Sequence, residues 1–550
     1  MNAAGRRLIA LVVLAIAACG GDAQLDVALD SMNAAELAAN VQVLASDEFE
    51  GRGPSSPGED KTVAFLAEEF NKLGAEPGNG DSYFQEVPLV SITTDPSATL
   101  TVRGKGAANL FDYGNEIMVW TKRAVGNTSV INSPLVFVGY GIVAPEYGWN
   151  DYEGVDVRGK TVVMLVNDPG FATKDTTLFN GNTMTYYGRW TYKFEEAARQ
   201  GAAGALIVHE TEPAAYPWGT VQGSWSGEQF SLLAEDNNMS RVAVEGWVTL
   251  ESAQTMLRQA DLDLDVLKPL ASQQGFKAVP MGLTASLTLR NSIEQSTSSN
   301  VIARIPGSER PDEHIVYMAH WDHLGIDRSL EGDQIYNGAL DNATGTAGLL
   351  QLAEAFMSLE QRPARSILFI AVTAEEQGLL GSAYYGSNPI YPLEQTVAAI
   401  NMDAMNILGS MNDVIVVGLG NSELDDYLTD AARHQNRVLT PDSEPQAGYY
   451  YRSDHFSFAK VGVPSLYAGE GTDHVEYGKD WTQEWRDQYL AENYHKPSDE
   501  YSDDWDLSGA IDDLRLYFRI GYRLANESTF PNWNEGTEFK ATRDAMMGGN

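Results

Sequence analysis

Cysteine is almost missing from this chain: of 550 residues, only position 19 is one. That excludes an internal disulfide and any thiolate metal site. Cations are scarce too. Lys and Arg number 37 against 76 Asp and Glu, a formal charge of -39. So acidic a chain repels phosphate backbones, which excludes nucleic acid as a partner class. The acids are spread along the sequence and read as a solvated surface, not as an acidic tail. After Leu8–Ala18 no apolar run is long enough to span a bilayer. Internal repeats and low-complexity tracts are absent as well. The length allows one to three domains with a large core.

The first residues read as an address. Arg6 and Arg7 precede the short apolar Leu8–Ala18, which is a secretory signal pattern. Ile16-Ala17-Ala18-Cys19 resembles a bacterial lipobox, in which the cysteine becomes the lipidated first residue. The expectation is a signal peptide over 1–18, a lipidated tether over 19–28, and a periplasmic or cell-surface lipoprotein anchored to a membrane through Cys19.

What the chain does contain is a recurring pattern of apolar strand followed by carboxylate or imidazole. Val316, Tyr317 and Met318 read as a buried strand that runs into His320, Asp322 and His323, then Asp341 and a helix from Asn342. Ile367–Val372 ends in Glu375 and Glu376. Ala398–Met402 ends in Asp403. Tyr494, His495 and Asp499 form a fourth, distant element. Strand, ligand-rich loop and helix is how an open α/β sheet presents chemistry at the carboxyl ends of its strands. Alternation of apolar strands with helices such as 423–437 and 507–527 predicts an α/β fold, a mixed, mostly parallel sheet covered by helices on both faces.

The middle of the chain differs. Residues 116–285 hold several strands (134–141, 159–166, 205–208), a helix near 193–201 and one histidine, His209, with no paired-ligand pattern. It reads as a β-rich inserted domain, leaving 29–115 and 286–550 for the chemical part. Such insertions are tolerated when the inserted piece folds alone and its ends are close.

His, Asp and Glu without Cys form a ligand set suited to zinc or another divalent ion. A shared carboxylate can hold two metals about 3.5–4 Å apart, which polarise a carbonyl and acidify a water. A neighbouring carboxylate then moves the proton to the leaving amine. Adjacent Glu375 and Glu376 diverge, so one can bind metal while the other faces water. His323 reads as facing elsewhere. His455 is the rival of His495, but its context with Phe456 and Phe458 reads as packed or pocket-lining. His209, His314, His434 and His474 read as surface or core residues. Tyr450, Tyr451, Arg452 and His455 form a candidate substrate pocket, since aromatics and one Arg suit a peptide cleft.

Together, His320-Trp321-Asp322, Gly338–Gly345, Glu375-Glu376, Asn401-Met402-Asp403 and Tyr494-His495 resemble the M28 family of zinc exopeptidases, over about residues 30–115 and 286–527. The insertion resembles a protease-associated (PA) domain. The resemblance implies two zincs per chain, peptide substrates and a set of roles. Asp341 would bridge the metals. His320 and Asp403 would complete one site, Glu376 and His495 the other. Glu375 would be the general base. Asp322 would orient His320 through its far ring nitrogen. Tyr494 would steady an oxyanion, and the Asp341–Asn342 peptide would be cis. The implied activity is an extracytoplasmic aminopeptidase. A glutamate-carboxypeptidase-like hydrolase would need cations for a C-terminal carboxylate, for which Arg452 is a candidate, and no dense Arg cluster lies near the motifs. A non-catalytic receptor of the same fold predicts lost ligands, and none is lost. Side-chain preference and oligomeric state are not encoded in these motifs.

Overall fold

The computed structural model describes residues 24–548, so the signal, lipobox and Cys19 readings lie outside the described residues. Two compact units emerge. One has an N-terminal segment ending at Val87, then Ser298–Asp442 and Ser453–Asn550; the other is Pro88–Thr297 with Ser443–Arg452. The second unit is wider than the 116–285 read from the sequence. Its pairings explain this: Leu89–Thr93 pairs with Glu228–Leu232, and Thr284–Arg290 pairs with Asn127–Pro134. The strands before 116 and after 285 are therefore part of its sheets.

The strands that build the first unit's sheet are β1 (Val279–Ile305), β2 (Arg310–His320), β3 (Arg365–Val372), β4 (Thr396–Asn401), β5 (Asp413–Val416), β6 (Val438–Pro441) and β7 (Ser465–Gly469). Its helices include α1 (Ala34–Leu44), α2 (Pro57–Leu73), α3 (Thr344–Met357), α4 (Leu380–Ser387), α5 (Leu424–Arg433), α6 (His455–Lys460), α7 (Gly478–Glu492) and α8 (Ser508–Asn526). The end of β1 lies antiparallel to β3. From there β3, β2, β4 and β7 run parallel in that order. Beyond them β5 pairs antiparallel with β7 and parallel with β6. This is the mixed, mostly parallel sheet expected. Among the described residues no helix is long and apolar enough to cross a membrane.

Alternation sorts the strand side chains. Tyr317, Ala319, Phe369, Ala371 and Ile400 join the core of α1, α3, α5 and α8. Val316, Met318, Leu368, Ile370 and Ala399 meet Tyr385 of α4 and Phe458 of α6 on the other face. Strands buried on both faces read as continuous apolar runs, as these do. Each such aliphatic side chain contributes about 2 kcal/mol by leaving water. Close approach is visible at Gly521 of α8, where any Cβ would collide with the Tyr317 hydroxyl, which donates to Tyr517 O at 2.8 Å. Helix α2 begins with Ser56 accepting from Gly58 N at 3.1 Å and Pro57 at its first position. It ends at Gly74 with φ 84°.

The second unit has its own sheet. Strand Thr161–Leu165 lies parallel between Asn127–Phe137 and Gly204–His209, and the latter also runs parallel to Val244–Thr249. Its core gathers Trp120, Met164, Phe194, Ile207 and Trp247. Polar groups are buried there too. Lys193 donates to the carbonyls of Tyr140 (2.6 Å) and Tyr187 (3.2 Å). Asp151 accepts from Trp149 Nε1 at 2.8 Å and Ile142 N at 3.0 Å.

Burial pushes the Asp151 carboxyl up to about 7. The folded chain holds this proton where the unfolded chain, with a pKa of about 3.9, has lost it. The stability gained from Asp151 is therefore full below about pH 4 and is lost as pH rises to 7. Melting curves of wild type and Asp151→Asn should converge on, or shift toward, the variant's advantage across this window. A difference that does not change with pH would refute the assignment.

Candidate metal centre

Because β2, β3 and β4 are parallel, their carboxyl ends lie along one edge. His320 is the last residue of β2. Glu375 and Glu376 follow β3 by three and four residues, and Asp403 follows β4 by two. Asp341 comes from the tight turn Ala339–Ala343 that leads into α3, and the Asp341–Asn342 peptide is cis. His495 comes from the loop after α7, a helix the sequence pattern did not mark.

The geometry centres on Asp341. One carboxylate oxygen, Oδ1, lies 3.2 Å from His320 Nε2. The other, Oδ2, lies 3.3 Å from His495 Nε2. His320 Nε2 is also 3.3 Å from Asp403 Oδ1, and His495 Nε2 is 3.0 Å from Glu376 Oε2. Two clusters therefore share one carboxylate. His323, read as facing elsewhere, does not: its Nδ1 sits 2.6 Å from Glu376 Oε1. His320, Asp341 and Asp403 form one group able to hold an ion; His323, Asp341 and Glu376 form another. Spacing hid this contact, because Glu376 lies 53 residues further along and comes from the loop after β3.

The electrostatics are those of a site built for a cation. Burial alone would lower the imidazole of His495, but Glu376 and Asp341 outweigh it and raise it to about 10. His320 is raised likewise against its burial, by Glu375, Asp341 and Asp403. Burial and Asp341 push Glu376 upward, yet His323 and His495 pull it down to about 2. Burial raises Glu375 well above the carboxylate range, reinforced by Asp403 and Glu376. Nitrogen and oxygen donors, with no sulfur, fit zinc or another divalent ion.

The surrounding shell holds the loops rigid. His320 Nδ1 meets the backbone carbonyl of Asp322 at 3.1 Å, while the Asp322 carboxylate is 3.9 Å away. Asp322 therefore orients His320, but through its main chain. Its carboxylate instead accepts from Glu375 N (3.1 Å) and Glu376 N (3.4 Å), fixing the two glutamates. Asp499 does the same for the bridging turn, accepting from Leu340 N and Asp341 N at 3.1 Å each. Asn342 ties that turn to the end of β4, donating to Met402 O and accepting from Gly345 N and Ala404 N, each at 3.0 Å. Ser453 donates to Asp403 Oδ2. Tyr494 is 42% exposed and stacks on His495 with ring centroids 3.9 Å apart.

Arg52 is a further residue beside the site, and it belongs to none of the motifs. It is buried, and donates to the carbonyls of Trp321 (2.8 Å), Leu44 (2.8 Å), Asn337 (2.5 Å) and Gly338 (2.8 Å). Burial lowers its guanidinium to about 10, although Asp499, Asp322 and Asp341 oppose this.

The four residues of the candidate substrate pocket differ in exposure and in the unit they belong to. His455 is fully buried against Tyr467, with centroids 4.9 Å apart, and lines no open surface. Tyr450 and Tyr451 are buried as well, and Tyr451 donates to Met184 O at 3.2 Å within the second unit. Arg452 is exposed. The chain passes from one unit to the other between Arg452 and Ser453, which separates residues that are adjacent in sequence.

Replacing Arg52 by Leu leaves four carbonyls without a donor, and should cost about 3 kcal/mol or more of stability in urea unfolding. Arg52→Lys keeps the charge but not the fork, and should fall between. Equal stability of all three would remove Arg52 from this role.

Comparison with known proteins adds to the geometry. The signature of peptidase family M28 matches residues 300–518. A stretch of 129 residues is 36% identical to the aminopeptidase NAALADL1 of Mus musculus, covering 22% of this chain and 16% of that protein. A longer stretch of 409 residues is 28% identical to a glutamate carboxypeptidase 2 homolog of Caenorhabditis briggsae, covering 64% of this chain and 48% of that protein. The matched regions thus span less than half the length of these relatives. The solved aminopeptidase from Aneurinibacillus sp. strain AM-1 aligns over 91% of this chain and 96% of its own, with 19% identity and a TM-score of 0.49. The match to peptidase family M28 takes in residues 300–518 and with them every candidate ligand, so that the part of the chain holding the metal centre is the part that is similar to this family of metallopeptidases.

Proposed function

We propose that the chain is a two-zinc aminopeptidase that releases N-terminal residues from peptides outside the cytoplasm. The observation that carries this reading is the division of the Asp341 oxygens between His320 and His495, at 3.2 and 3.3 Å. His320, Asp341 and Asp403 would hold one ion, and Asp341, Glu376 and His495 the other, with His323 seated behind Glu376. Two zincs there would polarise the scissile carbonyl and acidify a water between them.

The protein's own groups do the rest. Glu375 is buried and biased toward the protonated form, so it suits a base that takes a proton from water and returns it to the leaving amine. Its backbone N–H is held by Asp322, which fixes its approach. The exposed phenol of Tyr494, which stacks on His495, would donate to a developing oxyanion. A free α-amine finds the carboxylate of Asp403 at hand. Export and lipidation at Cys19 complete the proposal, supported by Arg6, Arg7 and Ile16-Ala17-Ala18-Cys19. A PA-type role for the inserted unit is supported by its own parallel sheet.

Glu375→Gln should retain about two zincs per chain while turnover of aminoacyl-p-nitroanilides falls by about 10²–10⁴. His495→Ala should lose one of the two ions. Cleavage of N-blocked peptides with a free C-terminus would move the assignment to a carboxypeptidase. Metal binding without turnover on either class would leave a receptor. In cell fractionation, Cys19→Ser should release the protein from the membrane fraction.

A further inference from the structure

The chain enters the first unit at a fixed point. Residues 24–31 form a helix. Its Ala28 and Leu29, with Met32 just beyond, are buried in the core that α1, α3 and α8 share. Gln24, the first residue of this helix, is held twice. Its Nε2 donates to the Tyr522 hydroxyl of α8 at 3.0 Å, and its Oε1 accepts from Gln361 N at 3.3 Å. Further on, Leu29 O accepts from Arg515 Nε at 3.1 Å. The helix therefore runs antiparallel to α8 along its side. Of the tether read over 19–28, residues 24–28 are part of the folded body, and four residues, 20–23, lie between Cys19 and Gln24. Covalent geometry limits that span to about 18 Å at full extension.

Gln24 sits at one particular edge of the sheet. Gln361 lies in the connection from α3 to β3, four residues before β3 begins at Arg365. The end of α8 and the chain after it are tied to the same edge. Arg365 Nη1 donates to Leu524 O at 2.7 Å and to Thr529 O at 2.9 Å. Arg310, the first residue of β2, donates from Nη2 to Glu527 O at 2.8 Å. These are the amino ends of β2 and β3. His320, Glu376 and Asp403 stand at or past the carboxyl ends of the parallel strands β2, β3 and β4. β3 has eight residues, so the two edges are about 25 Å apart.

We propose that this amino-end edge, around Gln24, Gln361 and the last turns of α8, is the membrane-facing surface of the first unit, resting on phospholipid headgroups with the metal centre at the opposite edge. The proposal rests on the lipidation reading of Cys19. A lipid there brings Gln24 within about 18 Å of the headgroups, which is less than the depth of the sheet. The short span and the two bonds of Gln24 leave the metal edge no way to turn toward the bilayer. Charge favours the same face. Arg515, Arg519 and Arg523 follow one line of α8 at four-residue spacing, and Arg362 is exposed beside Gln361. Asp26, Asp430 and Glu527 offset part of this charge. In a chain of charge -39, anionic headgroups are repelled, and arginines that face them reduce the repulsion.

The test uses the full chain, processed in cells and reconstituted into vesicles of phosphatidylethanolamine and phosphatidylglycerol that carry a nitroxide on some headgroups. Once Cys19 is lipidated its sulfur is blocked, so an introduced cysteine takes a fluorophore alone. Gln361→Cys marks the proposed face and Glu331→Cys, in the exposed loop after β2, marks the metal edge. Both side chains are exposed, and cooperative melting of each labelled protein confirms its fold. Emission from position 361 should be lost to the nitroxide while emission from 331 is kept. A flexible Gly-Ser insert of about 20 residues between Gly21 and Asp22, whose ends lie about 25 Å apart on average, should restore emission at 361 and leave turnover unchanged. Equal quenching at both positions in lipidated protein, or quenching at 331 alone, would overturn the proposal and keep the anchor. A mature chain whose mass shows no lipid on Cys19 would sink the anchor reading and this proposal with it.

Discussion

Like charges held at close quarters are the constraint around which the first unit is built. Asp341, Glu375, Glu376 and Asp403 converge at one edge of the sheet, with Asp322 and Asp454 buried close by. Left alone, they would repel one another and draw in water or protons. The fold answers with two imidazoles that each touch two carboxylates, with backbone N–H groups aimed at Asp322 and Asp499, and with one deeply buried arginine. Those compensations are local, and they leave the cluster suited to a cation. The parallel order of β2, β3 and β4 matters because it brings the donors to one edge without a long loop.

The sheet and the ligands were largely readable from residue order. Apolar runs with both faces buried gave β2, β3 and β4, and each ended where a carboxylate or imidazole stood. The shell around the ligands was less readable, because it works through the main chain. A sequence shows that Asp322 follows His320, but not that its carbonyl faces the ring while its carboxylate turns toward Glu375. Arg52 shows the same difficulty. Its partners are four backbone carbonyls, from residues 44 to 338, and carbonyls leave no mark in a motif.

Other differences come from contacts across long stretches of chain. His323 reaches Glu376 across 53 residues, which its spacing of three residues from His320 does not reveal. The limits of the second unit were placed too far inward because β1, 27 residues long, and the strand Phe84–Thr94 each carry residues of both units. Tyr450, Tyr451, Arg452 and His455 look like one lining in sequence, yet the chain changes unit in their midst.

The turn 443–452 gives the second unit a debt to the far end of the chain. Most of that unit leaves the ribosome as one continuous piece, 88–297, but its closing segment is made only after β2 through β6 have appeared. The Pro445 carbonyl and the Tyr451 hydroxyl that hold Met184 are therefore absent while the bulk of the unit emerges. Met184 waits through this interval without the wall that Gly448 later supplies. During synthesis the order of emergence becomes an order of assembly. A chain that stopped between residues 297 and 443 would hold this unit's sheet with its last wall missing.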